Sequence, residues 1–278
     1  MLGYHDHYVV DGGRERIILS ALVTPASIMD NTPLLDLIHW VRSRWQLDTK
    51  IATGDAKYGT AVNIAGLEKA GIKAYLPIPD LSQRTPYYPA THFQYDAEQD
   101  QYICPQGQVL PLYSRRKSEQ VFVYRADATV CNACPVKSEC TGSKSGRHIF
   151  RSFFQEYIDR AKAYHETEAY QKAMRKRAVW VELLFGEAKQ FHQLRRFRLR
   201  GLMKVNIEGV MVAAGQNLKR LLKKKLQEIL VKPSEKGQST SARFFFFVIQ
   251  IMKKFSGFHS RPTFSTGWVI MRQRLSTS

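Results

Sequence analysis

From Tyr4 to Val10 polar and apolar residues alternate, the run stops at Asp11-Gly12-Gly13, and a second β-rich stretch extends from Arg16 to Thr24. Alternation with period two seats one face of each stretch on a core, and the Asp-Gly-Gly between them predicts a hairpin that Pro25 ends. Asn31-Thr32-Pro33 predicts a helix start, and Leu34, Leu37, Ile38 and Val41 recur at helical spacing through Arg44, beside Trp45. Lys50 to Thr53 reads as a short strand leading into Gly54-Asp55-Ala56-Lys57-Tyr58-Gly59. A helix from about Ala61 to Ala70 and a strand from Ala74 to Pro79 follow. Hairpin, helix, strand, helix, strand is the order of an α/β fold.

The pattern changes at Ser82. To about Arg151 the chain is rich in tyrosine and proline and carries all of its cysteines, so this stretch reads as an insertion. Phe153 to Arg177 is helical and charged, and a second helix around Glu182 follows. Met203 to Leu230 predicts a long helix with Val205, Val212, Leu218, Leu221 and Leu222 on its inner side. Val231 to Ala242, with Pro233 and Gly237, reads as a linker. Phe244 to Met252 is too short and too interrupted for a membrane span and reads as a buried strand or short helix. Phe264 to Trp268 is assigned to packing. Four segments result: 1–81, 82–151, 152–230, and a linker and tail at 231–278.

Charge narrows the function. The net charge is +18 with a pI near 9.8, which points to a polyanionic partner, nucleic acid or an anionic membrane surface. The first eighty residues are nearly balanced. The excess sits between Lys172 and Lys225, where basic residues far outnumber Glu182, Glu187 and Glu208. No signal peptide and no apolar run of membrane-spanning length occur, so a cytoplasmic, nucleoid-associated protein is expected, with no membrane partner.

Three groups of residues carry candidate chemistry. Glu182 and Lys189 are two helical turns apart and share a face beside the apolar stripe Val181, Leu184, Phe185 and Ala188; a solvated amphipathic helix explains that spacing equally well. Beyond them Arg195, Arg196, Arg198 and Arg200 alternate with Leu194, Phe197 and Leu199, which suits a segment that seats apolar side chains and offers guanidinium groups to phosphate. Asp55 follows a strand end, where open α/β sheets place ligands, though a turn or cap aspartate fits there too. Cys104, Cys131, Cys134 and Cys140 read as a thiolate site for Zn²⁺, with a redox or structural cluster as the alternative.

Glu182, six intervening residues, Lys189, His192 and the run LRRFRLRG resemble the glutamate-bearing helix of DDE transposases from bacterial insertion sequences. The family signature also has a tyrosine seven and an arginine four residues before the glutamate; here those positions hold Arg175 and Ala178, with Arg177 nearby. GDAKYGT followed by GIKAYLPIP resembles the segment around that superfamily's second aspartate, and LGYHDHYVVD with ALVTPASIMD resembles the strands before it. CPQG, then CNACPVKSECT, resembles the cysteine-bearing insertion of one group, and Asn217 to Leu221 the closing helix. The resemblance spans roughly residues 2 to 225.

It implies a ribonuclease-H-like mixed sheet with flanking helices, interrupted by the small cysteine-rich insertion. It also implies Mg²⁺ (or Mn²⁺) held by Asp55 and Glu182, and DNA contacts from Lys189. With His192 and the four arginines on the same DNA, the partners would be double-stranded transposon ends and target, bound by a homo-oligomer. The activity implied is DNA strand cleavage and transfer at insertion-sequence ends. The family's first aspartate lies on the opening, central strand, which would precede Leu2, so that strand is expected to be missing through truncation or a frame-split gene. Asp6, inside the hairpin strand, Asp11, in its turn, and Asp30, at a strand-to-helix junction, are the early alternatives. The rival readings are a catalytically inactive DNA-binding remnant and a metal-dependent nuclease of the same fold.

Overall fold

The computed structural model describes residues 3–80, 84–231 and 267–277, with side chains for 3–80 and 84–225. In chain order the elements are β1 (Tyr4–Asp11), β2 (Ile18–Pro25), α1 (Leu34–Trp45), β3 (Ile51–Thr53), α2 (Ala61–Lys69) and β4 (Lys73–Tyr75). Then come β5 (Gln94–Asp96), β6 (Gln101–Ile103), β7 (Val109–Arg116), β8 (Val121–Arg125), α3 (Ala128–Asn132), α4 (Lys137–Cys140) and β9 (His148–Ser152). The last are α5 (Gln155–His165), α6 (Glu168–Phe191), β10 (Arg196–Phe197), α7 (Leu202–Val231) and β11 (Gly267–Thr277). The chain divides into two units, Met1–Thr53 with Ala173–Ser278, and Gly54–Lys172.

In the first unit the strand order is β2-β1-β11-β3, with β10 also beside β11. β1 and β2 form the predicted hairpin. β11 lies antiparallel to β1 along its whole length, from Tyr4 against Leu275 to Asp11 against Trp268, and parallel to β3 from Gly267 against Ile51. A strand from the segment read as linker and tail therefore sits inside the sheet. The linker itself and the Phe244 to Met252 run lie outside the described residues.

One face of this sheet is covered by α6 and α7. Tyr8 and Val10 of β1 and Ile18 of β2 pack with Val181, Leu184 and Phe185 of α6 and Ala213 of α7. Tyr8 stacks on Phe185 with ring centroids 4.6 Å apart, a geometry that adds to simple area burial. Val23 joins Ala188, Leu194, Phe197, Val205 and Val212. α7 approaches closely enough at Gly209 that a Cβ there would meet Val23 at 2.9 Å, so glycine is required. The predicted inner side of α7 is corrected in part: Val205 and Val212 are buried, whereas Leu218 is 50% and Leu221 41% exposed. Their rows turn away from the sheet because buried Gln216 and half-buried Asn217 take the inward positions. The helix expected around Glu182 is also longer than read, since it starts at Glu168, after Glu166 and Thr167 break the charged helical stretch.

In the second unit β5 to β9 form an antiparallel meander. Its core joins Phe93, Tyr102, Leu110, Tyr124, Ala126, Cys140 and Ile149. Tyr95 and Tyr124 both donate to Asp100, whose carboxyl is held below its usual range chiefly by the Tyr124 hydrogen bond. α2 and α5 are joined by Tyr164 donating to Glu68 at 3.2 Å, and His165 bonds the Leu76 carbonyl at 2.9 Å. The strand read as Ala74 to Pro79 is shorter, Lys73–Tyr75.

Candidate functional site

The α6 helix is fixed from beneath. Gln216, fully buried on α7, donates its side-chain amide to the Leu184 carbonyl at 2.7 Å. Lys219 and Arg220 reach across to Glu187 at 3.1 and 2.5 Å. Burial opposes ionisation of Glu187, but these two cations outweigh it and hold the carboxyl below its usual range. With Val181, Leu184, Phe185 and Ala188 turned inward, Glu182 and Lys189 emerge exposed along one flank, as their spacing requires. Sequence reasoning passed over Gln216, because a polar residue on an amphipathic helix reads as solvated until its partner on the neighbouring helix is known.

The helix ends where Gln193 adopts a left-handed conformation (φ 56°) and the Leu194 N–H turns back to the Ala188 carbonyl at 3.0 Å. His192 is half-buried, its Nε2 has no hydrogen-bond partner, and its ring lies against Gly215. Beyond it Leu194 and Phe197 are buried, Phe197 edge-on to Tyr4 at 5.9 Å, and Arg195, Arg196, Arg198 and Arg200 are exposed. The expected alternation holds at two of its three apolar positions, since Leu199 is itself exposed. Glu208 accepts the backbone N–H groups of Arg198 and Leu199 at about 3.0 Å and lies 3.7 Å from the Arg198 guanidinium. That carboxylate fixes the shape of the basic strip and takes up part of the Arg198 charge.

Asp55 belongs to the second unit, two residues beyond the end of β3 in the chain. It caps a single helical turn, Ala56–Tyr58, its Oδ1 accepting the Lys57 N–H at 2.9 Å. The cap of α2 is instead Thr60, which accepts from Asn63. Gly59 is packed against the Pro77 carbonyl so tightly that no Cβ fits, which holds the loop carrying Asp55.

The three early aspartates differ sharply. Asp30 is paired with His5, Oδ1 to Nδ1 at 3.0 Å. Asp11 is buried, and burial raises its pKa while the Gly13 N–H lowers it. Asp6 is 0% exposed, neither oxygen has a hydrogen-bond partner, and Oδ1 faces Gly209 of α7. Burial pushes its pKa up to about 8, and the neighbouring Tyr8 hydroxyl offsets little of that.

As donors for a divalent ion, Asp55 and Glu182 have the right chemistry: hard carboxylate oxygens, the first half-buried and the second exposed. Among the described residues no three His, Cys, Asp or Glu side chains stand together as an ion-binding group. The cysteines share a cavity without meeting as such a group. Cys104 at the β6–β7 turn, Cys131 and Cys134 around the end of α3, and Cys140 at the end of α4 all line one cavity of about 70 Å³.

No helix among the described residues is long and apolar enough to cross a membrane. No curated protein and no solved structure matches the chain. One family model does, over residues 103–222, from the cysteine-bearing meander through α6 to α7, and that stretch is similar to the family described as the transposase DDE domain.

Proposed function

We propose that the chain is a DDE-type transposase that cleaves and joins DNA strands at the ends of an insertion sequence. The observation that carries this reading is the match to the transposase DDE domain across α6, the helix that presents Glu182 and Lys189 to solvent. Asp55 and Glu182 would hold Mg²⁺ or Mn²⁺, whose chemistry is to stabilise the attacking and leaving oxygens of a phosphoryl displacement. Lys189, His192, Arg195, Arg196, Arg198 and Arg200 would grip double-stranded DNA at its phosphates, contacts that set register without reading sequence. A homo-oligomer would bring two such ends together.

The test is Mg²⁺-dependent nicking of DNA carrying the element's terminal sequences. Asp55→Asn and Glu182→Gln should each abolish nicking and leave DNA binding intact, because ligand loss removes charge stabilisation while the phosphate contacts remain. Full nicking by either variant would overturn the assignment.

A second reading has its own support. In the resemblance the first aspartate stands on the central strand; here the strand between β1 and β3 is Gly267–Thr277, which contains no Asp or Glu. Asp6, on the neighbouring strand, is shut beneath α7. These observations favour a chain that binds DNA without transferring strands. Tight, salt-sensitive binding with no nicks in either Mg²⁺ or Mn²⁺ would establish it.

A further inference from the structure

We propose that Cys104, Cys131, Cys134 and Cys140 hold one structural zinc ion in the meander of the second unit. The inference goes beyond the strand-transfer reading and stands or falls independently of it. A turn at Cys104 and, some 27 residues on, the stretch from Cys131 to Cys140 bring their cysteines to the same cavity.

The first segment is built as a thiolate-bearing turn. Cys104 N–H bonds the Gln108 carbonyl at 2.8 Å, Gly107 N–H bonds the Cys104 carbonyl at 2.9 Å, and Gly107 takes a left-handed φ of 74°. The turn so closed aims the Gln108 N–H at the Cys104 sulfur, 3.3 Å away. An N–H directed at sulfur is a weak bond to a thiol and a charge-assisted one to a metal-bound thiolate.

The second segment is pinned from behind. Asp127 accepts the Thr129 and Val130 N–H groups and so caps α3, which ends in Cys131 and Asn132. Cys134 N–H bonds the Cys131 carbonyl at 3.3 Å. Arg147 donates to the Cys140 carbonyl at 2.7 Å and the Tyr88 carbonyl at 2.6 Å, and Tyr88 in turn bonds Glu139 through its N–H and its hydroxyl. This network holds the backbone around the cavity that the four cysteines line.

The chemistry selects the ion. Soft thiolates favour zinc over magnesium or calcium, and tetrahedral zinc takes such sulfurs at about 2.3 Å. Zn²⁺ with its thiolates carries net negative charge, which the Arg147 guanidinium and Lys137, both at the cavity wall, can offset. As placed, no three of the thiols are close enough to share an ion, so binding requires the cysteine side chains to turn inward around χ1. Such closure couples binding to ordering of the module, the usual behaviour of structural zinc sites.

The experiment uses the full chain, purified without chelator. The expected result is about one zinc per chain, slow alkylation of the cysteines until a chelator is added, and thiolate-to-cobalt charge-transfer bands after exchange into Co²⁺. Cys104→Ser and Cys134→Ser should each lose the metal. Should a variant fail to fold, chelator-dependent alkylation of the unaltered chain still decides. Metal below about a tenth of an equivalent with all thiols freely reactive, a disulfide among these cysteines, or full zinc retention in Cys104→Ser would overturn the proposal.

Discussion

Asn217 of α7 exchanges two hydrogen bonds with Ile18 of β2: its Oδ1 accepts the Ile18 N–H at 2.8 Å and its Nδ2 donates to the Ile18 carbonyl at 2.7 Å. Asn206 does the same to Val23, both bonds at 2.8 Å. Eleven helical residues and five strand residues each advance roughly 16 Å, so two asparagines eleven apart meet two strand residues five apart. β2 is the outermost strand on its side of the sheet, and the helix satisfies backbone groups there that would otherwise invite another chain. Asn217→Ala should cost about 1–3 kcal/mol for each backbone group left unsatisfied, read as a shift in the urea midpoint. Asn206→Ala should behave alike, and the double variant should also gain a tendency to aggregate. An unchanged midpoint in both variants would mean that water replaces the amides without loss.

Asp6 makes stability depend on pH in an unusual direction. Its folded pKa is raised to about 8 from 3.8, so the folded protein keeps a proton that the unfolded chain releases. The contribution is fully present below about 4 and is lost as pH rises through 8. At about 1.4 kcal/mol per unit the effect is capped at roughly 6 kcal/mol. Asp6→Asn should therefore be more stable than the unaltered chain at pH 8 and show a flatter profile between pH 5 and 8. Equal slopes for the two proteins would show that the carboxyl is already relieved by another group.

DNA affinity should fall steeply with salt, by roughly 10³–10⁵ between 50 and 200 mM if six to ten phosphates are contacted. Within the basic strip the arginines should not be equal. Arg195 and Arg196 are exposed with no ion-pair partner among the described residues, whereas Arg198 lies beside Glu208. Arg195→Ala and Arg196→Ala should each lower the salt slope by about one, and Arg198→Ala by less. Filter binding or fluorescence anisotropy across a salt series measures this; a slope unchanged in the first two variants would remove the strip from the interface.

Much of this was readable from the residues. The β1–β2 hairpin, α1 and α2 follow from turn chemistry and apolar spacing, which are local. Glu182 and Lys189 emerge where their seven-residue spacing puts them, because inward-facing Val181, Leu184, Phe185 and Ala188 leave no other orientation. What was missed depends on partners far along the chain. Leu218 and Leu221 look like core by periodicity, and only the β2 partner of Asn217 shows why that row faces outward. Asp6 looks like one more polar residue of an alternating strand until Gly209 closes over it. The thiols carry a spacing signal, but that Cys104 joins the other three rests on the fold of the meander.

The place of β11 sets a schedule for making the protein. Tyr4 pairs with Leu275, so the hairpin emerges from the ribosome long before the strand that completes its sheet. Until then the inner edges of β1 and β3 stay unpaired, and closing so long a loop is slow compared with forming α6 or α7. A chain paused before Gly267 should bind chaperones or a stray strand where the chain that includes β11 does not, which makes synthesis of β11 the step that ends this vulnerability to aggregation.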